Sequence, residues 1–247
     1  MPAMPESSAG AVDALVPNDY DTFGEAYAAE TENSLLNAYY TRPAILDLAG
    51  DVAGRKVLDA GCGSGPLFAD LRERGAVVAG FDASTTMVEL SRRRLGDDAD
   101  LRVADLGGPL PYPDGEFDDV VASLVLHYLE DWTAPLAELR RVLRPGGRLI
   151  VAVNHPIIRK MADPGADYFA TAQWSSEHTF DGRKAVLSYW HRPLHAMTDA
   201  FTAAGFRTAV ISEPHPAPAA RELFADELAK FPSGAFLCFL FFVLEAV

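Results

Sequence analysis

A nonapeptide, Val57-Leu58-Asp59-Ala60-Gly61-Cys62-Gly63-Ser64-Gly65, constrains this chain more than any other feature. Two further acids follow it at equal steps. Asp82 closes the run Val77-Val78-Ala79-Gly80-Phe81, and Asp105 closes Leu101-Arg102-Val103-Ala104, each 23 residues after the acid before it. Lys56 to Asp59 is short and apolar, as a buried parallel strand should be. The alternate glycines let the backbone turn sharply and let a ligand come close to it. Pro66 suits the first turn of a helix, where a missing N–H costs nothing. A glycine turn after a buried strand, with an acid ending each of the next two strands, describes a nucleoside pocket.

The turn is not the dinucleotide fingerprint. G-x-G-x-x-G would need glycine at 66, where this chain has Pro66. The spacing Asp59-x-Gly61-x-Gly63-x-Gly65 instead resembles that of the class I S-adenosylmethionine-dependent methyltransferases. The stretch Glu138-Leu139-Arg140-Arg141-Val142-Leu143-Arg144-Pro145-Gly146-Gly147 is similar to the same family, where its glycine pair turns into strand five. The resemblance implies S-adenosylmethionine as cofactor. It implies that the turn of Asp59, Ala60, Gly61, Cys62 and Gly63 admits the cofactor's amino-acid end. A carboxylate at the end of a strand, here Asp82, can accept both ribose hydroxyls, although nicotinamide-binding folds use an acid there too. Asp105 discriminates: by resemblance it accepts the adenine amino group, with Ala104 and Leu106 beside the ring. Ala83, Met87 and Ser123 complete the implied cofactor set. The plainer reading of each acid is a loop cap or a solvated turn residue.

The chain's 247 residues suffice for one large α/β domain with decorations. Thirty-five acids against 21 lysines and arginines give a net charge of −14, which disfavours a nucleic-acid partner. Arg92-Arg93-Arg94 is followed at once by Asp97 and Asp98 and reads as a solvated helix end. Cys62 and Cys238 have no metal-ligand spacing, the six histidines form no ligand pair, and no metal is expected. No signal peptide is apparent, and the longest apolar run, 235–244, is too short for a bilayer. A cytoplasmic protein without a membrane partner is expected, with its oligomeric state open.

Residues 1–17 read as a disordered tail. In 18–43, Tyr20, Phe23 and Tyr27 share one helical face. This stripe is either packing or, by resemblance, an N-terminal helical lid. In the second case Tyr27 or Tyr20 reaches the methionine carboxylate, with Arg42 a further candidate. From Ala44 helix and strand alternate to the end of the chain. The resemblance implies a Rossmann-like α/β sheet of seven strands, order 3-2-1-4-5-7-6, across 44–247. Residues 155–193 interrupt that pattern. Asp181-Gly182 is a strong hairpin signal between two strand-like runs, so a β-hairpin cap is expected there.

The cap holds Tyr168, Trp174, Tyr189 and His191 as candidate contacts for a small, partly apolar or planar acceptor. Packing of the hairpin onto the core is the alternative use of these aromatics. His155 after strand five and His127 after strand four are candidate bases, each with a structural hydrogen bond as its alternative. The function expected is methyl transfer from S-adenosylmethionine to a small molecule, at oxygen or nitrogen rather than carbon. The competing classes are a protein or RNA methyltransferase, and a cofactor-binding protein that transfers no methyl group, such as a cofactor-assisted cyclase or a regulatory binder.

Overall fold

The computed structural model describes residues 15–231 and 236–247. Most of the tail expected at 1–17, and the start of the last apolar run, lie outside the described residues; Leu15 to Pro17 are exposed. Strands β1 (Lys56–Ala60), β2 (Val77–Asp82), β3 (Asp100–Val103), β4 (Phe117–Ser123), β5 (Leu143–Asn154), β8 (Phe206–Ser212) and β9 (Phe239–Ala246) form one sheet. Its order is β3-β2-β1-β4-β5-β9-β8; β6 (Ala172–Phe180) and β7 (Arg183–His191) form a separate hairpin. With the hairpin's strands left out of the count, this is the expected 3-2-1-4-5-7-6. Only β9 runs antiparallel to its neighbours in the sheet.

Strand alternation explains the layering. Leu149, Val151 and Val153 of β5, with Leu240, Phe242 and Leu244 of β9, belong to one core cluster. Ile150, Ala152, Phe239 and Phe241 belong to the other. Both faces of the central strands are therefore covered, which is why these strands read as unbroken apolar runs. Helices α5 (Thr133–Val142) and α7 (Leu194–Ala203) bury Leu136, Leu139 and Phe201 on the first face. Helices α2 (Arg42–Ala49), α3 (Pro66–Glu73) and α4 (Thr85–Leu95) bury Ile45, Phe68, Leu71 and Val88 on the second. Each fully buried large side chain contributes about 1.5–3 kcal/mol.

Three local features modify the pattern. Beyond α1 (Tyr20–Thr31), Tyr39 and Tyr40 lie in a π-helical turn, Asn37–Thr41, and Tyr40 packs on Phe236, Phe239 and Phe241. The Arg144-Pro145-Gly146-Gly147 stretch lies inside β5, where pairing with β4 slips in register between Phe117 and Asp119. Between β8 and β9 lie two one-turn helices, α8 (Ala220–Leu223) and α9 (Ala225–Leu228). The hairpin forms where Asp181-Gly182 required it, with φ of 46° and 73° at these two residues. A short helix, α6 (Ile157–Ala162), leads into the hairpin. Among the described residues, no helix is long and apolar enough to cross a membrane.

Candidate active site

The order of the sheet reverses between β1 and β4, which opens a crevice at their C-terminal ends. The glycine turn forms one lip. Gly61, Gly63 and Gly65 all have positive φ, between 55° and 85°. The opposite lip is Ser123-Leu124-Val125, and Leu124 itself sits at φ 57°, a conformation that costs a non-glycine residue about 1 kcal/mol or more. A Cβ on Gly61 would lie 2.9 Å from Val125 Cγ2, so the two lips touch here. A Cβ on Gly63 would meet nothing within 4 Å. The turn thus leaves open space at 63, where a ligand can approach the backbone.

Two carboxyls face this turn. Asp82 accepts the Gly63 N–H at 2.9 Å and the Ser84 N–H at 3.0 Å. Burial raises its pKa, opposed by those backbone donors. Asp59 is fully buried, and its Oδ2 has no hydrogen-bond partner. Burial and then the Asp82 charge push Asp59 up to about 7. An orphaned buried carboxyl oxygen beside a second acid fits a cationic ligand group. The sulfonium and ammonium end of S-adenosylmethionine is such a group, and the open space at Gly63 fits its approach.

The remaining candidates fall into four groups. Ala60 and Cys62 are buried at the turn, and Ser123 is half-buried at the end of β4. Asp105 is exposed just past β3 and accepts the Gly107 N–H at 2.8 Å, while Leu106 is buried and Ala104 half-buried beside it. Ala83 is exposed, and Met87 is buried with its Cε 3.3 Å from where a Cβ on Gly24 of α1 would stand. Arg42 pairs with Asp70 of α3 at 3.2 Å, a tie between helices α2 and α3.

Helix α1 lies over the crevice. Tyr20 and Tyr27 meet edge to face at 5.1 Å, and the Tyr20 and Tyr128 hydroxyls lie 2.6 Å apart. Burial raises the pKa of all three tyrosines, which keeps them neutral hydrogen-bonding groups. Phe23 stacks on Phe180 of the hairpin at 5.7 Å. Phe23 thus packs on the hairpin, while Tyr20 and Tyr27 sit at the side of α1 that meets Tyr128.

The two histidines are not free bases. His127 Nδ1 accepts the Asn154 N–H at 3.2 Å. A backbone N–H can only donate, so in the neutral ring the proton sits on Nε2. Burial lowers the His127 pKa to about 3, so the ring is neutral. Its Nε2–H is buried without a partner and is a donor. His155 Nδ1 accepts the Ile157 N–H at 3.1 Å, and its Nε2 lies 2.7 Å from Glu213 Oε1. Both ring nitrogens are engaged, which ties His155 to the start of α6 and to Glu213 just past β8.

Of the cap candidates, Trp174 and His191 line a narrow cleft with His127. The buried His191 pairs its Nε2 with the Tyr168 carbonyl at 2.8 Å, so both residues fix the loop before β6. Tyr189 stacks on Tyr128 at 5.5 Å and meets His127 edge to face at 5.2 Å. Sequence reasoning did not single out Tyr128 or Arg192, each of which stands next to a named histidine.

Residues 58–151 match the family model described as a methyltransferase domain. Over 111 residues the chain is 44% identical to the demethylmenaquinone methyltransferase of Beutenbergia cavernae, covering 45% of each protein. Over 159 residues it is 35% identical to the demethylmenaquinone methyltransferase of Renibacterium salmoninarum, covering 64% of this chain and 66% of that one. The chain spans about half the length of the first curated relatives it matches. Among solved structures, an S-adenosylmethionine dependent methyltransferase from Mesorhizobium loti superposes with a TM-score of 0.63 at 24% identity, over 87% of this chain and 99% of that one. That last likeness is one of fold.

Proposed function

Because the chain carries a methyltransferase domain of the class I S-adenosylmethionine-dependent family, we propose that it transfers a methyl group from S-adenosylmethionine to a small-molecule acceptor, at an oxygen or nitrogen atom. The observation that carries this reading is the orphaned, buried Asp59 Oδ2, which lies in β1 just before the glycine turn and feels the Asp82 charge. When bound, the cofactor supplies an activated methyl group on a sulfonium. Asp82 accepts the ribose hydroxyls on lone pairs not used by Gly63 and Ser84. Asp105 holds the adenine amino group. Asp59 faces the cationic end, and Tyr20 and Tyr27 cover it and exclude water. The protein's contribution to rate is alignment, with reacting atoms about 3–3.5 Å apart.

With the Nδ1 lone pair of both His127 and His155 taken by a backbone N–H, the acceptor atom is one that is already nucleophilic, such as an ionised oxygen. The name carried by the Beutenbergia and Renibacterium relatives supports a planar acceptor. The net charge of −14 argues against a nucleic-acid substrate.

Calorimetry tests the cofactor half: S-adenosylmethionine and S-adenosylhomocysteine bind, and NAD does not. NAD binding without a response to S-adenosylhomocysteine would overturn the reading. An acceptor screen with methyl-labelled cofactor tests the other half. Tight cofactor binding with no labelled product across a broad screen would favour a binder without transfer.

A further inference from the structure

We propose that Asp21 of α1 is a positioning residue for the ribose of the cofactor: through Ser84 it fixes how Asp82 is presented to the two ribose hydroxyls. The inference rests on the methyltransferase reading, with Asp82 as the ribose acid, and adds a residue that acts on the cofactor through another. Three side chains and one backbone amide form an unbroken chain of hydrogen bonds. The Ser84 N–H donates to Asp82 Oδ1 at 3.0 Å, and the Ser84 hydroxyl donates to Asp21 Oδ1 at 2.6 Å. Asp21 stands 63 positions before Ser84, so the chain is complete only when α1 is docked on α4.

The lone pairs of Asp82 show why its orientation matters. Each oxygen already accepts one backbone N–H: Oδ1 from Ser84, and Oδ2 from Gly63 at 2.9 Å. One lone pair on each oxygen is left, and a pair of ribose hydroxyls requires both. The plane of the carboxyl is set by those two N–H groups. Gly63 belongs to the glycine turn, whereas Ser84 belongs to a unit that α1 holds. Ser84 is 7% exposed, and its hydroxyl accepts the Met87 N–H at 3.1 Å while it donates to Asp21. Asp21 Oδ1 also accepts the Thr86 N–H at 2.9 Å, and the Thr86 hydroxyl donates to the Asp21 carbonyl at 3.2 Å. The buried Gly24 lets α1 come this close, since a Cβ there would lie 3.3 Å from both Met87 Cε and Thr86 Cγ2.

The bond and the charge of Asp21 act in opposite directions. As a hydrogen-bond acceptor it orders Ser84 and so holds the donor to Asp82 in place. As a charge it works against Asp82: burial raises the Asp82 pKa most, and the nearby Asp21 carboxylate raises it further. Asparagine at position 21 keeps an acceptor for the Ser84 hydroxyl and removes the charge, and its amide faces water because the residue is exposed. Alanine removes both. An Asp21 that acted only through its charge would make the two variants alike, whereas positioning separates them.

The test is calorimetry on the full chain with two ligands, S-adenosylhomocysteine and its 2′,3′-dideoxy analogue, which lacks both ribose hydroxyls. The wild type should prefer S-adenosylhomocysteine by about tenfold or more. Asp21→Ala should cut that preference by about threefold or more and leave the dideoxy analogue within about twofold of its wild-type affinity. Asp21→Asn should keep the wild-type preference. Ser84→Ala removes the hydroxyl but not the N–H, and should lower the preference as Asp21→Ala does, with no further loss when the two are combined. Native melting temperatures show that the variants fold; if Asp21→Ala does not, Ser84→Ala against Asp21→Asn decides. A preference unchanged in either Asp21→Ala or Ser84→Ala would overturn the proposal. So would equal weakening of both ligands, the mark of a helix merely loosened, or an Asp21→Asn as impaired as Asp21→Ala. A wild type that binds both ligands equally would instead overturn the placing of the ribose at Asp82, and failure of S-adenosylhomocysteine to bind at all would overturn the methyltransferase reading.

Discussion

The side-chain amide of Asn18 pairs with both backbone groups of Ser188, 170 positions away: Nδ2 donates to the Ser188 carbonyl at 3.0 Å, and Oδ1 accepts the Ser188 N–H at 2.9 Å. Asn18 thus takes the place of a strand partner at the edge of β7. It holds φ 58°, which asparagine tolerates better than most residues. One turn on, Asp21 Oδ1 accepts the Thr86 N–H at 2.9 Å and the Ser84 hydroxyl at 2.6 Å. Helix α1 is therefore tied at one end to both the hairpin and the start of α4.

Asn18→Ala removes two of those bonds, at about 0.5–1.5 kcal/mol each. Amide exchange should then speed up by roughly tenfold across residues 18–31 and 183–191, with the central strands unchanged. In the wild type, S-adenosylhomocysteine should slow exchange over 18–31 if α1 acts as a lid. Equal exchange with and without it would leave α1 as ordinary packing.

Asp59 gives the protein a pH dependence of unusual sign. Its folded-state pKa of about 7 lies above the ordinary aspartate value of 3.8, because burial and then Asp82 disfavour its charge. Between those values the folded state binds the proton and the unfolded state does not, so stability falls as pH rises, by up to about 1.4 kcal/mol per pH unit. Asp59→Asn should flatten that slope and raise the melting temperature of the free protein near pH 8. A cationic ligand favours the ionised form, so cofactor binding near pH 6 should release a proton in the wild type. Calorimetry in buffers of different ionisation enthalpy measures that release, and Asp59→Asn should abolish it. An unchanged proton count in the variant would assign the titration elsewhere.

Gly61 and Gly63 separate a folding role from a binding one. A Cβ on Gly61 meets Val125 at 2.9 Å, so Gly61→Ala should destabilise the fold, and Val125→Ala should recover part of the loss. Gly63→Ala meets no protein atom and pays only for its φ of 55°, about 1 kcal/mol. It should fold nearly normally yet lose S-adenosylhomocysteine affinity by at least tenfold. Retained affinity in Gly63→Ala would move the ligand away from the turn.

At the opposite end of the sheet, Asp119 is fully buried between Arg55, at 2.5 and 2.8 Å, and Arg148, at 2.7 and 3.0 Å. Burial pushes its carboxyl up, but the two guanidiniums outweigh burial and hold it below its ordinary value. Its stabilisation is therefore present above the unfolded pKa and is lost as pH falls through the lower folded value. Asp119→Ala strands two partly buried cations and should cost about 3–5 kcal/mol. Chemical denaturation should show this loss, while cofactor affinity per folded molecule stays the same.

What was legible in the chain is what short-range pattern encodes. The evenly spaced acids marked the ends of β1, β2 and β3 because each parallel strand and its helix need a similar length. Asp181-Gly182 marked the hairpin because its positive φ values suit those two residues. Ser84 just before α4 caps that helix locally: its hydroxyl accepts the Met87 N–H at 3.1 Å. The roles of Arg42, His155 and His127 were not legible. Their partners, Asp70, Glu213 and Asn154, lie 27–58 positions away and are brought to them by topology. A histidine after a strand reads as a base until the strand beside it uses its nitrogen.

Two hairpin aromatics expected to act alike should therefore act differently. Trp174 lines the narrow cleft beside His127 and meets Tyr189 at 5.1 Å. Trp174→Ala should raise the acceptor's KM and leave S-adenosylhomocysteine affinity nearly unchanged. Tyr189 also stacks on Tyr128, whose hydroxyl bonds that of Tyr20 over the crevice. Removing the Tyr189 ring takes away the wall behind that pair, at about 0.5–1.5 kcal/mol beyond its area. Tyr189→Ala should therefore weaken both the acceptor and S-adenosylhomocysteine, by severalfold to about tenfold for the latter. Tyr189→Phe keeps the stack and should behave as wild type toward the cofactor. Equal cofactor affinity in Tyr189→Ala and Trp174→Ala would mean that the hairpin touches only the acceptor, and that α1 holds its place over the crevice through Asn18 and Asp21 alone.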